Sequence, residues 1–372
     1  MNSMTDRDAL IALNMMESIG PVRVRSLKEV LGSYDAIMSA DTRDLSSAPG
    51  VGLAIAKKLV DQRRTLDPVL EQGKAEQAGI SIVTFADPEY PYLLKQIHDP
   101  PLVLYIKGKL CESDRRSIAM VGTRRPSAYG RSVADSLSFR LAQAGFTIVS
   151  GLARGIDTQS HRGALNGKGR TIAVLGGAID KMYPPENAGL AEEIAGNGAV
   201  ISEFPMGRSP DKTTFPMRNR IISGLSMGVV VVEAALASGA LITGSQALDQ
   251  GRSVFAVPGR IDSPGSKGPH SLIKNGACLV TGIDSILEEL ELLIPSSSLL
   301  NLNDTSVRSR TTLLPDETSL VKLLEDGELD ADSLIRKSGL AAATVSSLLI
   351  GLEMKRIVRM LPGRRVELIR SI

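Results

Sequence analysis

The 372-residue chain is 43% hydrophobic and balances 43 Lys and Arg against 41 Asp and Glu, a formal charge of +2. That is enough apolar material for a large core in two or three domains. Two cysteines, Cys111 and Cys278, and three histidines, His98, His161 and His270, in no ligand spacing argue against a disulfide framework and a zinc site.

No run approaches the ~18 apolar residues of a membrane span, and Met1 to Leu10 carries acidic residues and no apolar signal core. A cytoplasmic protein with no metal, no cofactor and no membrane partner is expected.

Residues 1–77 are helical in pattern and contain two short hairpin signals, Ile19-Gly20-Pro21-Val22 and Pro49-Gly50-Val51-Gly52. Each precedes a helix, the second with Lys57 and Lys58, as in tandem SAM-like helix-hairpin-helix domains, which offer backbone amides to phosphate without reading sequence. The first hairpin lacks the second glycine, so a plain helix turn is an equal reading there, and protein contact is an alternative role for the module.

Residues 78–293 form the central α/β unit. Ser81 to Phe85 and Leu102 to Tyr105 read as lead-in strands. Four apolar runs then each end in a polar loop. Ile118-Ala119-Met120-Val121 runs into Gly122-Thr123-Arg124-Arg125-Pro126-Ser127, with Ser127 a helix N-cap. Phe146 to Val149 runs into Ser150-Gly151-Leu152-Ala153-Arg154-Gly155, and Thr171 to Leu175 into Gly176-Gly177. The fourth, Val229 to Val232, ends on Glu233 before Ser238-Gly239. Such runs are buried parallel strands, whose carboxyl ends deliver ligand-binding loops beside helix N-termini.

Neither G-x-G-x-x-G after a strand nor G-x-x-x-x-G-K-[ST] occurs, so the two best-defined nucleotide cradles are absent. Gly paired with Arg replaces them. Glycine lets a backbone approach phosphate, and guanidinium is a forked, permanent donor. Residues 115–170 hold ten basic side chains against two acidic, a net of +8, which is an electrostatic footprint for nucleic acid. Arg218 and Arg220 either meet DNA or pair with Glu203 or Glu233. Phe215 is either core or a stacking platform, and His161 is read as a structural hydrogen-bonding residue.

Residues 294–318, with Pro295, Ser296 to Ser298 and Pro315, read as a linker; residues 286–332 around it carry eleven acidic side chains against three basic. Residues 319–372 have the order of a winged helix: three helical patterns, then Ile357 to Met360 and Arg365 to Leu368 as a hairpin wing. The third helix offers Thr344, Ser346 and Ser347 rather than Arg or Asn, so sequence-specific duplex reading is not expected; non-specific DNA contact and protein docking stay open.

Taken in order, the segments Val121 to Gly130, Ser150 to Asp157, Ile172 to Gly176, Tyr183-Pro184-Pro185-Glu186-Asn187, Phe215 to Ser226, Ser238 to Thr243 and Gly251 to Gly259 resemble the DNA-processing protein A (DprA, or Smf) family. The resemblance covers most of residues 80–282. It implies an extended Rossmann-like parallel-sheet domain, flanked here by the helical and winged-helix domains, that binds incoming single-stranded DNA, loads the RecA recombinase during natural transformation and forms a homodimer. Carried onto this sequence, it has Gly122, Thr123, Arg124 and Arg125 holding phosphate, Gly151, Arg154 and Gly155 lining the adjacent path, and Lys212, Phe215, Arg218, Asn219 and Arg220 at the pocket rim. The segments 251–257 and 278–286 are the expected dimer contributors.

A rival reading is enzymatic. The sheet with Arg-Asn-Arg before a strand ending in Glu233 is similar to the nucleotide-monophosphate phosphoribohydrolases, but their Pro-Gly-Gly-x-Gly-Thr turn is missing. A non-catalytic binder is therefore expected, with Glu233 orienting Arg218 or Arg220 by ion pairing.

Overall fold

The computed structural model describes residues 4–293, 315–324, 328–354, 358–361 and 365–368. They fall into two compact units divided between residues 294 and 295.

The first unit begins with six short helices: α1 (Asp6–Asn14), α2 (Pro21–Leu31), α3 (Tyr34–Ser39), α4 (Thr42–Ser46), α5 (Leu53–Gln62) and α6 (Pro68–Gln77). Both hairpin signals are realised as helix starts. Gly20 and Gly52 are the N-caps of α2 and α5, and neither start has a side-chain cap. The two hairpins lean together, because Arg23 Nε donates to Gly50 O at 3.0 Å and Ser26 Oγ to Pro49 O at 3.1 Å. Leu10, Leu27, Leu45 and Leu59 share one buried cluster with Tyr105, Leu175 and Ile194 from the sheet region. Buried Glu71 strengthens that junction, accepting from Tyr105 Oη at 2.9 Å and from the Met206 amide at 2.8 Å.

Then follow β1 (Ser81–Thr84), α7 (Tyr92–Lys95), β2 (Val103–Gly108), β3 (Ser117–Val121), α8 (Ala128–Gln143), β4 (Thr147–Ser150), α9 (Ile156–Asn166), β5 (Thr171–Val174), α10 (Ala188–Asn197), β6 (Gly198–Ser202), α11 (Thr214–Gly224), β7 (Gly228–Val231), α12 (Gly239–Asp249), β8 (Ser253–Ala256), α13 (Lys267–Lys274), β9 (Cys278–Leu279) and α14 (Ile283–Leu293). One nine-stranded sheet results, in the order β1-β2-β6-β5-β4-β3-β7-β8-β9. From β6 to β9 every pairing is parallel, while β1 and β2 add an antiparallel margin.

The continuous apolar runs are explained by burial on both faces. In β3, Ala119 and Val121 enter one core cluster while Ile118 and Met120 enter another; Val229 and Val231 separate from Val230 and Val232 in the same way. A period of two places alternate side chains on opposite faces, so both sets must be apolar when helices cover both. The chain travels outward from β3 toward β6 and, after returning, from β7 toward β9. The reversal lies between β3 and β7.

Most apolar side chains of the two segments expected to contribute to a dimer are buried within the chain. Val254, Phe255, Ala256 and Val257 are buried by their own sheet and helices, and Ile283 and Ile286, on α14, are buried in the same core cluster as Phe255 and Val257. Only edge strand β9 keeps an exposed apolar side chain in these two segments, Leu279 at 45%.

The second unit comprises α15 (Pro315–Leu324), β10 (Leu329–Asp330), α16 (Ala331–Ser338), α17 (Ala342–Met354), β11 (Val358–Leu361) and β12 (Arg365–Leu368), the strands ordered β10-β12-β11. Leu320, Leu334, Leu349, Val358 and Val366 form its core. Asp330 caps α16 through the Ser333 amide, and Gly339 ends it in the left-handed conformation at φ 68°. Thr344, Ser346 and Ser347 lie on α17, with Ser346 and Ser347 exposed.

Most of the expected linker lies outside the described residues. Its last four positions, Pro315 to Thr318, are instead the start of α15, because Pro at the first helical position with Asp316 and Glu317 behind it suits a helix N-terminus. No helix among the described residues is long and apolar enough to cross a membrane.

Candidate nucleic-acid interface

At the strand-order reversal the carboxyl ends of β3 and β7 open onto a crevice of about 440 Å³, the position where open α/β sheets bind ligands. The loop after β3 contributes Gly122, Thr123, Arg124 and Arg125; α11 contributes Phe215, Arg218 and Asn219. The first turn of α12 faces them with Ser238, Gly239 and Thr243, and Asp157 closes the β4 side.

The glycines act mainly by letting loops pack against one another. A Cβ on Gly122 would stand 2.6 Å from Ile156 Cγ1, and one on Gly155 would stand 2.4 Å from Thr123 O, at a φ of +84° that disfavours side chains in any case. At Gly151 it would stand 2.2 Å from Arg218 Nη1. Close approach to phosphate was the sequence-based reason for these glycines; in the structure their open faces are filled by protein. The Thr123 amide donates to Glu233 O at 2.7 Å, which ties the β3 loop to the end of β7.

Arg218 is the electrostatic centre. It is only 5% exposed, with Nη1 donating to Gly151 O at 2.6 Å and to Val174 O, and Nε to Asn219 Oδ1 at 3.2 Å. Burial draws its pKa down to about 10, with Asp157 opposing the shift and nearby Arg124 adding to it. The group remains a cation at neutral pH. Asp157 is buried and its carboxyl is raised by desolvation, with Arg218 pulling the other way. His161, below them, is pushed to about 3 by burial and then by Arg218, so it is neutral; its Nδ1 lies 2.7 Å from Thr171 Oγ1. That hydroxyl donates to Ile148 O, so it accepts the Nδ1 proton, the structural role expected for His161.

Phe215 stands between these groups and solvent. The Arg124 guanidinium carbon lies 5.3 Å from its ring centroid, the Tyr183 centroid lies 6.0 Å away, and the Arg154 guanidinium sits 5.8 Å from Tyr183. Glu186 grips Arg154 from the far side, with Nη2 to Oε2 at 3.1 Å. The result is a ladder of cation, ring, ring and cation that starts in the crevice at Arg124 and Phe215 and leads out of it to Tyr183 and Arg154, with Phe215 pressed over Gly176, where a Cβ would lie 2.7 Å from Cδ1.

Several sequence-based assignments change. Arg220 is not at the rim: two residues on from Arg218 is about 200° around a helix, so it points away and is buried at 5% exposure between Glu203 and Asp99, with Nε to Asp99 Oδ2 at 3.2 Å. Glu233 orients neither arginine. Its carboxylate takes the Ser127 amide at 2.9 Å and the Ser127 hydroxyl, at the N-terminus of α8, where the helix dipole favours an anion. Arg154 ends the ladder and does not line the crevice, and Lys212 is exposed just before α11, also outside the lining. Arg124, Arg125, Arg218 and Asn219 do converge.

Tyr183, Asp157 and the first turn of α12 were not among the expected site residues. Ser238-Gly239 is visible as a loop after a buried strand; Tyr183 lies in one of the segments that carry the family resemblance, but no role follows from that segment.

Residues 81–291 match the model for DNA recombination-mediator protein A, 305–364 that for a DprA winged helix domain, and 10–65 that for a SAM-like helix-hairpin-helix tandem. The chain belongs to the DNA recombination-mediator protein A family. Protein Smf of Synechocystis is 33% identical, with 96% of this chain and 97% of the relative aligned. The crystal structure of DNA processing protein A from Streptococcus pneumoniae superposes with a TM-score of 0.67 at 34% identity, over 77% of this chain and 98% of that one. A solved structure of DNA processing protein A from Helicobacter pylori, concerned with its single-stranded DNA binding mode, gives 0.52 at 30% identity over 58% of this chain and 97% of that one. In this chain the Rossmann-like sheet that matches the family is flanked by a helical domain and a winged-helix domain.

Proposed function

We propose that this family member binds single-stranded DNA through the β3–β7 crevice and hands the strand to the RecA recombinase. The observation that carries the reading is the convergence of three guanidinium groups, Arg124, Arg125 and Arg218, on a crevice with one carboxylate, Asp157, beside an aromatic ring. Cations crowded together in one site are relieved by a polyanion, and rings stack on any base. The same chemistry predicts preference for single strands over duplex, little sequence preference and steep salt dependence, with Lys212 and Arg154 flanking the path. The Helicobacter relative's single-stranded DNA binding supports it.

The phosphoribohydrolase reading assigns the acting carboxylate to Glu233, which is outside the crevice lining and 6% exposed with both oxygens engaged by Ser127. We read the protein as a cytoplasmic binder, not an enzyme. We also place its homodimer contact at the free edge of β9, where Leu279 is exposed and the strand's outer hydrogen-bonding groups are unpaired by the sheet. Thr344, Ser346 and Ser347 of α17 are not the Arg or Asn side chains that read bases bidentately, so the second unit is assigned an accessory role.

Arg124→Ala tests the crevice. Affinity for single-stranded oligonucleotides of different sequence is expected to fall by a similar factor for all, and the slope of log affinity against log salt to flatten by about one contact, as read by fluorescence anisotropy. An unchanged slope in a folded variant moves the phosphate contacts elsewhere.

A further inference from the structure

Three features of the crevice select a smaller ligand unit than an uninterrupted strand. Its volume of about 440 Å³ lies in the range of small-molecule sites, roughly 300–1,000 Å³. It is walled on one side by Arg124 and Phe215, with Tyr183 stacked against Phe215 outside the lining, and on the other by the start of α12. And Arg124, Arg218 and the α12 N-terminus all line it.

The donors are of two independent kinds. Arg218 is 95% buried with Nη1 and Nε committed to protein oxygens, and among the described residues no acceptor is hydrogen-bonded to its Nη2, although the residue lines the crevice. Across from it stands the N-terminus of the eleven-residue helix α12, where Ser238 Oγ satisfies the Ala240 amide at 3.2 Å and the Gly239 amide has no acceptor among the described residues. A helix N-terminus, a buried guanidinium and the exposed guanidinium of Arg124 together present more positive charge than the single charge of one phosphodiester balances. A phosphomonoester has three free oxygens and up to two charges. Phe215 and Ile242, the latter 44% exposed, line the same crevice as apolar surfaces for a sugar and base.

We propose that the crevice is a socket for one nucleotide carrying a terminal 5′-phosphate, with Arg218 Nη2, Arg124 and the α12 N-terminus on the phosphate and Phe215 and Ile242 flanking the base. This rests on the single-strand reading above and sharpens it: the protein distinguishes the phosphorylated 5′ end of a strand from its interior. Two sources carry the same chemistry, a strand end and a free nucleoside 5′-monophosphate, and the experiment separates them.

The test is equilibrium binding of the full chain to four probes: a linear oligodeoxythymidine with a 5′-phosphate, the same strand with a 5′-hydroxyl, its covalently closed circle, and thymidine 5′-monophosphate as competitor. The phosphorylated strand is expected to bind about tenfold tighter than the hydroxyl strand or the circle, the gain of roughly one charge-assisted contact. The monophosphate, but not thymidine, should compete for that advantage, which Arg124→Ala should reduce. Equal affinity for the first three probes overturns the socket and leaves the single-strand reading standing. Binding of the monophosphate without measurable binding of any strand supports the socket and overturns the single-strand reading. No binding of any probe overturns both.

Discussion

Arg220→Ala is expected to lower the free energy of unfolding by about 3–5 kcal/mol, because it removes the cation that holds a buried carboxylate. Glu203 is 7% exposed and raised toward its neutral form by desolvation, with the Arg220 charge and hydrogen bond opposing that rise. Without Arg220 it becomes an unpaired buried acid, and Asp99 loses its partner at 3.2 Å. Urea denaturation measures the loss. Single-strand affinity of the folded variant should be unchanged, since Arg220 faces away from the crevice; a stable variant that no longer binds would return Arg220 to the interface.

Gly151→Ala should act on binding as strongly as removal of Arg218 itself. The new Cβ would lie 2.2 Å from Nη1 and 2.5 Å from Cζ, so the guanidinium must leave the seat formed by Gly151 O and Val174 O. Single-strand affinity should fall at least about tenfold, since a hydrogen bond to a charged group is worth roughly 1.5–3 kcal/mol. The double-mutant cycle isolates the cause. In an Arg218→Met background, Gly151→Ala should cost little further affinity, whereas an undiminished second loss would assign Gly151 a direct role at the phosphate.

These two positions also mark where the sequence was and was not legible. The strands were readable because a run such as Val229 to Val232 is apolar at every position, and only a two-faced parallel strand needs that. The crevice was readable because Gly-Arg loops follow those strands, and the topology of such a sheet brings the loops together. The direction of each arginine was not. Arg218 and Arg220 share one helix, and their separation depends on helical phase and on acceptors 67 and 17 residues away in the chain. Glu233 was legible as a strand-end carboxylate, but its partner, Ser127, is 106 residues distant and was recognised only as a helix cap. Tyr183 enters the site through its stacking on Phe215, a tertiary contact that no local pattern encodes.

The division between binding and stability follows from burial. Arg124 and Arg125 are far more accessible than Arg218, Arg220 and Glu203. Replacing either of the first pair alters the field over the crevice and leaves the fold intact, whereas each change among the buried three reaches the core. Phosphate binding therefore rests on the accessible pair together with Arg218, the one buried member of the three that lines the crevice.

Photo-crosslinking bears most directly on that dependence. A single strand substituted with bromodeoxyuridine, bound to the full chain, irradiated and mapped by peptide mass spectrometry, should give adducts on Phe215, whose ring lines the crevice, or on Tyr183 packed against it. Adducts confined to residues 315–368, with none between 121 and 243, would contradict the account and move DNA binding to the winged-helix unit.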